Sequence, residues 1–334
     1  MQESELVRLV ENKKVLFITT KNIDYIRNSQ ELNILSKYAE NVEILFSKCK
    51  YNPLRIVEIW LRLHKRRVEW ADIVFIGFEP QFVIPFKKNV LKGKTVIADF
   101  FISVYDTLVW DRKIIKDKSF LAEWCHCLDE ITLQRADLLI ADTEAHKKYF
   151  VSEFHGDEKC IETLYLEAND KIYFQREQQK CNELKQKFVV LYFGSILPLQ
   201  GVQVVLDAIR ELKAQQNVYF DIIGKIPDKY NKPMQDNVCY TDWLSQEKLA
   251  EHIANADLCL AGHFNSNIEK AKRTIPGKAF IYEMMGKTMI LGDSAANREL
   301  FNEDEKHIFV PLGNVLALSM AIRERAQKAS KVWK

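Results

Sequence analysis

Short apolar runs recur along the chain, and each ends near a hydroxyl, a glycine or a carboxylate. Residues 15–20 (VLFITT), 42–46 (VEILF), 73–77 (IVFIG), 95–99 (TVIAD) and 138–142 (LLIAD) have this form. Continuous apolar runs of this length suit strands buried on both faces, as parallel strands are. Between them, residues 28–39 and 54–68 read as helices. Strands alternating with helices predict a parallel, doubly wound sheet, whose ligands bind at the carboxyl ends of the strands. Asp99 and Asp142 fall at such ends.

The pattern stops at residues 167–187, a polar stretch with QREQQK at its centre and no apolar period. It reads as an interdomain connection. A second series then starts, with strands predicted at 188–193 (FVVLYF), 218–224 (VYFDIIG), 258–260 (LCL), 289–291 (MIL) and 308–310 (IFV). A chain of 334 residues can bury two cores. The predicted organisation is a first domain over 1–167, a linker over 168–187, a second domain over 188–315 and a closing helix over 316–334.

Composition narrows the field. A net charge of +2 argues against a nucleic-acid partner. The seven cysteines are scattered, without a CxxC pair, and Cys125-His126-Cys127 is too tight for a zinc site. Reduced thiols in a cytoplasmic protein are the simpler account. The opening MQESELVRLVENKK has no apolar signal-peptide region, and no apolar run reaches membrane-spanning length. Residues 54–67 mix Arg55, Arg62, Lys65, Arg66 and Arg67 with Leu54, Ile59, Trp60 and Leu61. Such a basic amphipathic helix can lie on an anionic membrane surface at the inner face; an ordinary solvated helix face is the alternative.

The candidate chemistry is densest over residues 273–300, RTIPGKAFIYEMMGKTMILGDSAANREL. A Thr274-Ile275-Pro276-Gly277 turn opens a helix with Lys278 in its first turn and Glu283 further along. Proline and glycine at a helix start leave free N–H groups and the positive dipole end for an anion. With the lysine charge, this makes a cradle for a nucleotide diphosphate, and the carboxylate suits two adjacent hydroxyls. An ordinary αβ unit with solvated Lys278 and Glu283 is the alternative. Gly194 and Gly201 flank a second strand-to-helix turn, where glycine lets the backbone approach phosphate.

Three stretches, in this order, carry a resemblance: DFFISVYDTLVWDR at 99–112, YFGSILPLQG at 192–201 and RTIPGK at 273–278. They resemble the signatures of a bacterial branch of the retaining, GT-B-type glycosyltransferases of family four. The resemblance implies an α/β GT-B architecture, two Rossmann-like doubly wound domains facing a cleft, with a closing helix that often crosses back onto the first domain. It implies a retaining glycosyltransferase moving a sugar from a nucleotide diphosphate-sugar to a glycan or lipid-linked acceptor in cell-surface polysaccharide synthesis, with no metal or other cofactor.

Carried over by motif, the resemblance assigns donor binding to Gly194, Ser195, Gly224, Lys225, His263, Phe264, Pro276 and Gly277, with Glu283 on the ribose hydroxyls. Trp243 lies in TDWL, similar to the stretch whose backbone reads the base. Lys278, Arg273 and Asp99 are the implied catalytic residues, and Ser103, Asp106 and Arg112 the acceptor-side ones. Retaining transfer need not use a protein base, so stabilisation of the leaving diphosphate is the implied main term.

The chain departs from the family in four places. Ser195 and Gln200 stand where many relatives have Arg and Lys, and Ile275 where the wider signature has an acid. The loop after the first strand, Thr19-Thr20-Lys21-Asn22, lacks glycine, and Asp99 stands near the place of a histidine. Ser195 and Gln200 keep open a non-catalytic GT-B subunit supporting a partner enzyme. The missing histidine argues against a nucleotide-sugar epimerase. No G-x-G-x-x-G follows a strand, which argues against a redox enzyme.

Overall fold

The computed structural model describes residues 4–332. Two units, Met1–Glu167 and Ala168–Lys334, each surround one six-stranded sheet.

In the first unit the strands are β1 (Lys14–Thr19), β2 (Asn41–Phe46), β3 (Ile73–Phe78), β4 (Thr95–Asp99), β5 (Leu138–Ala141) and β6 (Ile161–Thr163). They are parallel and lie in the order β2-β1-β3-β4-β5-β6. Leu16, Ile18, Val74, Ile76 and Ala98 face one core layer, and Val15, Phe17, Ile73, Phe75 and Ile97 the other. Burial on both faces is why these strands read as unbroken apolar runs.

The stretch 54–68 forms two helices, Asn52–Arg62 and Lys65–Glu69, rather than one. The break follows from Leu63, which is buried and extended (ψ 94°). Three of its arginines serve the unit itself. Arg55 donates to the Thr20 carbonyl (2.8 Å) and the Cys49 carbonyl (2.7 Å), Arg62 pairs with Glu58 (2.9 Å), and Arg67 pairs with Glu43.

The second unit holds β7 (Phe188–Phe193), β8 (Val218–Ile223), β9 (Val238–Thr241), β10 (Leu258–Gly262), β11 (Met289–Gly292) and β12 (His307–Val310). These parallel strands lie in the order β12-β11-β10-β7-β8-β9, so the winding reverses between β7 and β10. The closing helix, Val315–Val332, sets Leu318, Ile322 and Ala326 into this unit's core beside Val205 and Ile209.

The stretch read as a linker falls within the second unit. Tyr173 is buried, Gln178 Nε2 donates to the Ala256 carbonyl (3.1 Å), and the Gln179 N–H donates to Asn255 Oδ1 (2.6 Å). Lys180 pairs with Asp257, whose carboxylate also accepts the Val189 N–H at the start of β7 (2.7 Å). A strap held by polar bonds has no apolar period to read. Among the described residues, no helix is long and apolar enough to cross a membrane.

Candidate functional site

The carboxyl ends of β7, β8 and β10 converge where the winding of the second sheet reverses, the place such sheets bind ligands. Each of the three strands ends on or runs into a glycine in the left-handed half of backbone space: Gly194 (φ 141°), Gly224 (φ 133°) and Gly262 (φ 80°). A Cβ on Gly224 would stand 2.3 Å from the Gly194 carbonyl oxygen. Only glycine lets the two loops approach this closely.

Lys278 occupies the space the glycines leave. Its Nζ lies 3.3 Å from where a Gly194 Cβ would be and 3.6 Å from the corresponding point on Gly262. The side chain is buried, donates to Gln200 Oε1 (2.7 Å) and lies 4.0 Å from the centroid of the Tyr192 ring. Burial pushes its pKa down to about 7. Its hydrogen-bond partner is a neutral amide, so the buried cation is solvated without being neutralised.

The helix Gly277–Met284 starts at Pro276, and Lys278 stands in its first turn. In that turn the Ala279 N–H donates to the Pro276 carbonyl (2.8 Å), while the N–H groups of Gly277 and Lys278 precede the first intrahelical bond. The Gln200 carbonyl accepts the Phe264 N–H (3.2 Å), and Asn265 Nδ2 donates to the Pro198 carbonyl (2.8 Å), so the loops after β7 and β10 clasp each other. The result is a positively polarised helix start beside two glycine loops, suited to a phosphate anion.

The other expected donor residues are spread around this point. Ser195 and Lys225 are exposed beside Gly194 and Gly224. Trp243 is 77% exposed, just past the edge strand β9. His263 is buried with Nδ1 3.2 Å from the Thr274 carbonyl oxygen, bracing the turn that leads to Pro276. Arg273 is half-buried at the end of the short helix Lys270–Arg273.

Two expectations are corrected. Phe264 is a core side chain of the second unit, so it packs rather than binds. Glu283 is not brought to the cluster. It lies in the last turn of its helix, and its carboxylate meets His307 Nε2 (2.8 Å) at the first residue of β12. A helix following a parallel strand runs back along the sheet, so its last turn lies at the amino ends of the strands. One turn after Lys278 stand Ile281 and Tyr282, both buried.

In the first unit, Asp99 ends β4 but is 1% exposed, with both oxygens held by Arg27 (Nε 3.0 Å, Nη2 2.9 Å). Glu31 is fully buried one turn further along the same helix, Ile26–Tyr38. Burial, with Asp99 beside it, holds the Glu31 carboxyl well above the usual carboxylate range. Asp99 is therefore engaged inside the unit rather than open to a substrate, which corrects its expected catalytic role.

Ser103 is also interior, donating to Asp129 Oδ2 (2.7 Å) and accepting the Asp106 N–H (2.9 Å). Asp129 further accepts Gln81 Nε2 (2.9 Å) and the N–H groups of Val104 (3.1 Å) and Tyr105 (2.9 Å), and burial raises its pKa to about 6. Asp106 is buried at the start of a π-helical turn, Asp106–Asp111, and Arg112 is exposed at its end. These residues build a loop rather than a polar pocket.

Sequence reasoning missed the groups where the first sheet reverses, between β1 and β3. There Thr20 Oγ1 donates to Glu79 Oε2 (3.1 Å), Asn52 donates to the same carboxylate (3.0 Å), and Glu79 itself is left-handed (φ 47°). A carboxylate directly after the buried run of β3, followed by Pro80, was the available signal. Gln200 stands out in sequence only as a departure from an expected lysine, and Tyr192 only as the first residue of a motif; neither points to its contact with Lys278.

Residues 187–328 match the family described as Glycosyl transferases group 1. The chain is 23% identical over 227 residues to an uncharacterised 41.2 kDa protein from the cps region of Klebsiella pneumoniae, covering 65% of this chain and 56% of that protein. Among solved structures it resembles Anabaena HepE in complex with UDP and glucose (TM-score 0.64, 13% identity, 96% of this chain and 94% of that one). It likewise resembles sucrose-phosphate synthase from Thermosynechococcus elongatus (TM-score 0.66, 11% identity, 96% and 91%). The lipopolysaccharide outer core galactosyltransferase WaaB is a third such structure (TM-score 0.58, 15% identity, 95% and 91%). The fold is the two-domain GT-B fold, and the second unit carries a glycosyltransferase domain.

Proposed function

We propose that this chain, with its glycosyltransferase domain on a GT-B fold, is a retaining glycosyltransferase of family four. It takes a sugar from a nucleotide diphosphate-sugar and passes it to a glycan or lipid-linked acceptor in cell-surface polysaccharide synthesis. Lys278 carries the reading, as a buried cation at the winding reversal, held in a glycine cradle at a helix N-terminus and facing an uncharged amide. A diphosphate entering there replaces the Gln200 amide as partner and brings the negative charge the lysine lacks. As the glycosidic bond breaks, charge builds on the leaving diphosphate, where the lysine and the helix N–H groups stabilise it most. The donor phosphate then assists the acceptor hydroxyl, consistent with Asp99 being engaged by Arg27.

The HepE structures with UDP and with UDP-glucose support a uridine donor, and the cps-region relative supports the polysaccharide role. In this reading the protein works in the cytoplasm, peripheral to the inner face of the membrane, the surface first expected to meet residues 54–67.

The test is thermal unfolding with UDP, GDP, ADP, CMP and dTDP, with and without magnesium. One diphosphate at a hundred times its Kd should stabilise by about 2.7 kcal/mol. Lys278→Met should lose that shift, and Glu283→Gln should keep it. No shift with any nucleotide would refute the donor reading and favour a subunit that supports a partner enzyme.

A further inference from the structure

The first unit presents a second surface, which shares only Arg112 with the expected acceptor-side residues. Trp110, Ile114, Phe120, Leu121 and Trp124 are 45%, 68%, 80%, 56% and 44% exposed within fifteen consecutive residues, 110–124. Large apolar side chains concentrated in one exposed segment mark an interaction surface. Arg112, Lys113, Lys116 and Lys118 lie among them and are all exposed, against three acids, of which Asp111 is buried, Asp117 is half-buried and Glu123 is exposed.

The exposure is built in by local structure. The π-helical turn Asp106–Asp111 runs into two left-handed residues, Lys113 (φ 52°) and Lys118 (φ 57°). Between them the Ile114 and Ile115 N–H groups donate to the Leu108 carbonyl (2.9 and 3.1 Å), which anchors the loop. Ser119 Oγ then accepts the Ala122 N–H (3.3 Å) and caps the helix Phe120–Arg135. That helix buries Ala122, Cys125, Leu128 and Asp129. Phe120 and Trp124, one turn apart, stand on the opposite face.

We propose that residues 110–124 are the membrane-docking surface, which seats its aromatic and aliphatic side chains in an anionic phospholipid layer while the four cations meet the phosphate headgroups. This rests on the peripheral attachment proposed above and relocates it. The Asn52–Arg62 helix also exposes Leu54 and Leu61, but Arg55 and Arg62 are spent on bonds within the unit. At 110–124 the apolar and cationic groups are both turned outward. Tryptophan suits the interface between headgroup and acyl chain, and clustered lysines answer an anionic surface.

The test is co-sedimentation of the full chain with phosphatidylcholine vesicles, with and without phosphatidylglycerol. Wild type should bind only the anionic vesicles. Phe120→Ser with Trp124→Ser, and separately Lys113→Glu with Lys116→Glu, should each weaken binding by about tenfold or more. Leu54→Ser with Leu61→Ser should leave it within about twofold of wild type, since the Arg55 and Arg62 of that helix are bonded within the unit. Each variant must keep the nucleotide-induced thermal shift of wild type, which separates failure of docking from failure of the donor site or the fold. The proposal falls if wild type does not bind anionic vesicles, or if the variants at 110–124 bind undiminished. It falls equally if wild type is a dimer that the Phe120/Trp124 variant dissociates, because the surface then belongs to a second copy.

Discussion

Lys278 costs the folded protein stability, and the sign of its pH dependence follows from where its proton is held. Its pKa is about 7 in the folded unit, against about 10.4 in an unfolded chain. Below pH 7 both states carry the proton and the full cost of burying the charge is present. Above it the folded state sheds the proton first, the unfolded chain binds more protons, and stability rises towards pH 10. Lys278→Met removes the cost, on the order of a few kcal/mol, so the variant should melt several degrees higher at pH 6 while losing nucleotide-sugar affinity. Binding to the wild type should take up close to one proton at pH 8 and weaken as pH rises further. Calorimetry in buffers of different ionisation heat measures that uptake, and its absence would remove Lys278 from the diphosphate. The buried triad of the first unit separates its two acids in a similar way. Asp99→Asn removes the carboxylate that holds both Nε and Nη2 of Arg27 and should cost about 3–5 kcal/mol by denaturant melting, whereas Glu31→Gln removes a carboxyl that burial and Asp99 hold above the usual carboxylate range and should cost much less. Lys278 was legible in sequence because a Pro-Gly helix start announces itself. Glu283 misled because its motif position carries no record of which end of the sheet the last helical turn reaches.

At the level of elements, the central strands and the edge strands β2 and β12 were readable, and the edge strands β6 and β9 were not. β1, β3, β4, β7 and β8 are apolar throughout their middles, while β6 (IET) and β9 (VCYT) are short, half-exposed and chemically mixed. The helix Ile26–Tyr38 was legible as a helix but not in its role, since its buried face carries Arg27, Asn28, Gln30 and Glu31 instead of an apolar stripe. Glycine marked the loops of the candidate site more reliably than charge did. Gly224→Ala should be severely destabilising, because the new methyl would meet the Gly194 carbonyl oxygen at 2.3 Å in a left-handed backbone. We expect a loss of about 2 kcal/mol or more. Hydrogen exchange should show faster opening across β7 and β8 while β1–β5 of the first unit keep their protection. Uniform loosening of both units would contradict this account.

Across the whole chain, the two sheets reverse their winding at different strand pairs; the second places the buried Lys278 there, held by a side-chain amide, and the first the buried Arg55, held by backbone carbonyls. The doubling of the βα pattern gave away two units, yet the stretch 168–187 was assigned to neither, since hydrogen bonds leave no hydrophobic period. The likeness to glycosyl transferases group 1 begins at residue 187, past that stretch. A second unit excised at the start of the likeness would lose Lys180 from the Asp257 carboxylate and Gln178 and Gln179 from Ala256 and Asn255. The part that could be exchanged between enzymes by recombination is therefore longer than the part that looks homologous. A transplanted domain needs its upstream strap to arrive with it, or a recipient that can supply an equivalent cation at the foot of β7.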